Sequence, residues 1–161
     1  MRVMVVCLAL AALGGCGFRP LYAPTEAGAV AFGSLSVVEI AGKTGHSLRM
    51  ELTRRLGAHG GEVGQPTRVL TVTLEEQVER LGFRIDESAQ RADLVVIAQY
   101  SLETQGETAP MVGEISTRVG FDIPDSSFGE ITAQDDARER AGEVLAQLLH
   151  TELAIRLTQA P

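Results

Sequence analysis

Tryptophan is absent from this 161-residue chain, which holds only two cysteines and three histidines. So little material excludes a disulfide framework and argues against a metal cluster. Basic residues are in the minority, with 14 Lys and Arg against 21 Asp and Glu and a net charge of −7. With no long basic block, the composition argues against a nucleic-acid binder that works by neutralising phosphates. Enzyme signatures are missing as well. His46, His59 and His150 lack metal-type spacing, and no His-Glu-x-x-His, Gly-x-Ser-x-Gly or phosphate-loop pattern occurs. What the chain does have is 45% apolar residues against 22% charged ones. That is enough to exclude disorder and to build one core in about one domain.

The most specific signal lies at the start. Arg2 precedes eleven apolar residues from Val3 to Leu13, the layout of a signal-peptide core. As a helix the run would extend about 16 Å, half of the ~30 Å hydrocarbon thickness, so it is no membrane span. Leu13-Gly14-Gly15-Cys16 follows directly and resembles the lipobox of bacterial lipoproteins. Processing of that kind removes residues 1–15 and lipidates Cys16 on its sulfur and its new amino group. Two or more acyl chains anchor durably, because each buried CH₂ contributes ~0.8 kcal/mol. Cys7 is then discarded and the Cys16 sulfur occupied, so the mature chain is expected to carry no free thiol. The mature chain is also one unit more negative, since Arg2 is the only charged residue removed.

Residues 16–33, with Pro20, Pro24, Gly28 and Gly33, read as a lipidated N-terminus and tether ahead of a single domain over 34–158. Residues 35–40 predict a short strand. Leu48, Leu52 and Leu56 predict an amphipathic helix, capped by Thr44 or Ser47 and stopped at Gly57. Period-two runs predict further strands near 69–74, 92–102 and 112–121. Val95 and Ile97 give the third strand a second apolar face, so it is expected to be central and covered on both sides. Residues 75–91 are expected to form a long hairpin projecting from the body. A C-terminal helix is expected over 131–157, its apolar stripe built from Ala137, Ala141, Val144, Leu145, Leu148, Leu149 and Ile155. The fold class is therefore α+β, in the order β-α-β-β-β-α, with two helices packed on one face of a four-stranded mixed sheet.

Candidate chemistry is sparse. The Gly-rich stretch 57–62 follows a helix, whereas a phosphate cradle opens one, so it reads as a turn. Asp135 and Asp136 point about 100° apart on a helix and read as acids favoured by its N-terminal dipole. Arg138 and Arg140, with Glu139 and Glu143, read as a solvated face. The hairpin arginines Arg80, Arg84 and Arg91 are the candidate site for an anionic amphiphile, through guanidinium forks. Lys43, Arg49, Arg54 and Arg55 on the first helix form a competing basic patch.

Cys16-Gly17-Phe18-Arg19-Pro20-Leu21-Tyr22 resembles the mature N-terminus of the LPS-assembly lipoprotein LptE family. Ala98-Gln99-Tyr100-Ser101-Leu102 and the helix with Asp136-Ala137-Arg138-Glu139-Arg140-Ala141 and Val144-Leu145-Ala146 are similar in order to that family. Phe121-Asp122 departs from a Tyr-Asn found in many relatives, and Gly142 places a costly residue inside a helix. The resemblance implies a non-enzymatic lipoprotein of the outer membrane, anchored at its inner leaflet by Cys16 and facing the periplasm or a barrel lumen. Its implied partners are the LptD β-barrel, which it plugs and helps assemble, and lipopolysaccharide; no cofactor, metal or nucleic acid is implied. The alternative is an unrelated lipid-anchored periplasmic binding module, motivated by the projecting hairpin.

Overall fold

The computed structural model describes residues 35–57, 66–83 and 89–159. Residues 1–34, which hold the expected signal segment and tether with Cys16, residues 58–65, where a turn is expected, and Arg84 lie outside them. The elements are β1 (Leu35–Val37), α1 (Gly42–Gly57), β2 (Arg68–Phe83), β3 (Ala89–Thr104), β4 (Met111–Asp122) and α2 (Ser127–Gln159). The sheet order is β1-β2-β3-β4, with β1 parallel to β2 and the other pairs antiparallel. This is the expected α+β architecture, a mixed sheet with both helices on one face.

Alternation sets which face is covered. Ala92, Leu94, Val96, Ala98, Tyr100 and Leu102 of β3 are buried, as are Leu70 and Val72 of β2 and Val119 and Phe121 of β4. Leu48 and Leu52 of α1 and Leu145, Leu149 and Leu153 of α2 complete this core with no exposure. The opposite face carries Val95 and Ile97, which are only half-buried. β3 is central, as expected, but among the described residues no layer covers its second face.

Residues 75–81 do not project. They continue β2 in regular pairing with β3, from Glu75↔Ile97 to Leu81↔Arg91. β4 in turn flanks β3 as far as Arg91↔Asp122. The expectation failed because apolar alternation stops after Leu74: the inner-facing positions become Glu76, Val78 and Arg80, of which the charged two meet ionic groups of α2 rather than the core.

The starts of both helices also shift. α1 begins at Gly42, whose φ of +84° suits glycine. Neither Thr44 nor Ser47 is its cap; Thr44 is fully buried in the first turn, and its hydroxyl has no partner among the described residues. α2 begins at Ser127, preceded by Ser126, whose Oγ accepts the Gly129 N–H at 3.1 Å as an N-cap does. Asp135 and Asp136 therefore sit in the third turn, beyond the reach of the N-terminal dipole.

The buried stripe of α2 is rotated from the expected one. Ala137, Ala141, Leu145 and Leu149 are buried as expected, but Gly142, Ala146 and Leu153 join them. Val144, Leu148 and Ile155 are left 41%, 42% and 46% exposed. The rotation has a local cause: a Cβ on Gly142 would lie 2.7 Å from the Ser47 Cβ and 2.8 Å from the Leu48 backbone nitrogen. Small residues at 142 and 146 let α2 settle against α1, and the larger Val144 and Leu148 are turned outward. Gly142→Ala gains about 1 kcal/mol of helix propensity but overpacks a seam at a cost of about 1–3 kcal/mol. The expected outcome is a net loss of about 1 kcal/mol, read as a lower urea midpoint at unchanged slope.

Candidate functional site

The open sheet face is built from the outward positions of three strands. Thr71 and Thr73 of β2, Gln99 and Ser101 of β3, and Val112 and Glu114 of β4 line a shallow groove of about 470 Å³ on it. Gln99 Nε2 donates to Glu114 Oε2 at 3.3 Å across the β3–β4 pair. Further along, Arg118 Nη1 donates to Glu79 at 2.6 Å and to Asp93 at 3.0 Å, linking all three strands. These two hydrogen bonds, Glu79 first, raise the Arg118 pKa above its ordinary value. The face thus mixes Thr, Ser, Gln and paired charges with the half-buried Val95 and Ile97 and the exposed Val112.

A second set of ionic contacts fastens α2 to the sheet and to α1. Arg138 is only a quarter exposed and bridges Glu76 of β2 at 3.0 Å and Asp135 at 3.1 Å. It is a clamp rather than the solvated face expected from its neighbours. Asp135 also accepts a hydrogen bond from Lys43 of α1. The Lys43 contact, followed by Arg138, holds the Asp135 carboxyl below the usual aspartate value against some desolvation. Beside this clamp, Gly42, Lys43, His46, Ser47, Thr132, Asp135, Asp136 and Glu139 line an open cleft of about 810 Å³. Among the described residues no group of three His, Cys, Asp or Glu is placed to hold a metal.

At the far end, Tyr100 lies against Gly113, where a Cβ would come within 2.5 Å of its hydroxyl. The hydroxyl reaches Glu152 Oε1 at 3.5 Å, and Arg156 donates to the same oxygen at 2.7 Å. Burial is the main cause of the raised Tyr100 pKa. Arg156 also donates to the Val112 carbonyl at 2.9 Å, so one arginine joins α2 to β4. Glu152 thus joins Tyr100 of β3 to Arg156 on α2.

The expected anion site is dispersed. Arg80 is on the helix-covered face, 60% exposed, and pairs with Glu130 at 2.9 Å. Arg91 is on the open face, 70% exposed, and lies 3.5 Å from Asp122. The two are therefore on opposite faces and do not form one fork; Arg84 lies outside the described residues. The α1 patch is also paired internally, since Arg54 and Arg55 both hold Glu51 and Lys43 holds Asp135. Arg54 is the leading cause of a lowered Glu51 pKa.

This architecture has been seen in bacterial lipoproteins. A lipoprotein of Caulobacter crescentus superposes with a TM-score of 0.68 at 24% identity, over 84% of this chain and 98% of its own. Rare lipoprotein B of Shewanella oneidensis gives 0.51 at 16% identity, over 76% and 97%. Lipoprotein B of Nitrosomonas europaea gives 0.53 at 12%, over 78% and 88%. At these identities the likeness establishes the fold. No protein-family model and no curated protein sequence matches the chain. No described helix is long and apolar enough to cross a membrane.

The Lys43–Asp135–Arg138 clamp gives a pH test. Because the folded Asp135 pKa is depressed, its stabilisation is present above the unfolded aspartate value and is lost as pH falls through the folded one. Asp135→Asn is expected to unfold at lower urea than the parent near neutrality. The gap between the two chains should close progressively below about pH 4.

Proposed function

We propose that this chain is a non-enzymatic outer-membrane lipoprotein, anchored to the inner leaflet through a lipidated Cys16. There it occupies and helps assemble a large LptD-type β-barrel that inserts lipopolysaccharide into the outer leaflet. The observation that carries the reading is the junction of a lipobox with Gly17–Tyr22, which resembles the LptE family, on a chain that shares its fold with solved bacterial lipoproteins. The open sheet face supports it physically. Large outer-membrane barrels have polar, wet interiors, and a face of Thr, Ser, Gln and paired charges is suited to lie against such a wall. A lipid anchor of two or more chains keeps the domain beside its partner at high local concentration.

Lipopolysaccharide contact is assigned to Arg80, Arg84 and Arg91. Arg80 and Arg91 lie on opposite faces of the sheet, each beside a carboxylate, so the two do not act as one site. The binding-module alternative loses the feature that motivated it, since residues 75–81 belong to the sheet.

The test is the intact mass of the chain extracted from membranes, together with identification of what co-elutes. The expected result is a mass lacking residues 1–15 and carrying acyl chains, co-eluting with a large outer-membrane barrel. Cys16→Ala is expected to release the chain from the membrane fraction. An unacylated, soluble and solitary native chain would overturn the proposal.

A further inference from the structure

We draw no further inference here: the strongest candidate, the apolar patch that Phe128 and Ile131 expose on the first turns of α2, is an unpartnered face, and nothing in the structure shows what covers it.

Discussion

One-sided coverage of the sheet is the constraint from which the rest of the structure follows. Two helices lie on one face because the even positions of β3 are apolar without interruption from Ala92 to Leu102. The reverse positions hold Asp93, Gln99 and Ser101 beside Val95 and Ile97, too mixed to support a second helical layer. The molecule is left with a closed hydrophobic side and an open, mixed side.

Charge in this protein works mainly as internal fastening. Arg138, Arg118, Arg140 and Arg156 each join separate elements or successive turns, and each has a carboxylate in reach. Exposed pairs of this kind contribute little individually, about 0–1 kcal/mol. Their placement nevertheless fixes how α2 lies along the sheet, since the Arg138 contact to β2 and the Arg156 contact to β4 hold its two halves.

Much of this was legible in the sequence. Uninterrupted alternation announced β3, alternating apolar residues announced β4, and leucines at four-residue spacing announced α1. Illegible features arise where packing departs from apolar periodicity. Glu76 and Arg80 point to the helix side of the sheet, yet read as loop residues until their partners Arg138 and Glu130 are seen. Val144 and Leu148 scored as core by hydrophobicity, while Gly142 scored as a defect. The approach of α1 reverses both, and no spacing rule encodes the distance between two helices.

The central claim is that the uncovered sheet face lies against a barrel wall. A photo-activatable cross-linker placed at Thr73, in the middle of that face, tests it in intact cells. The account expects an adduct with a large outer-membrane β-barrel protein, and none of that size from the same group at Met50 on α1. Cross-linking at Met50 but not at Thr73, or no barrel adduct from either position, would contradict it.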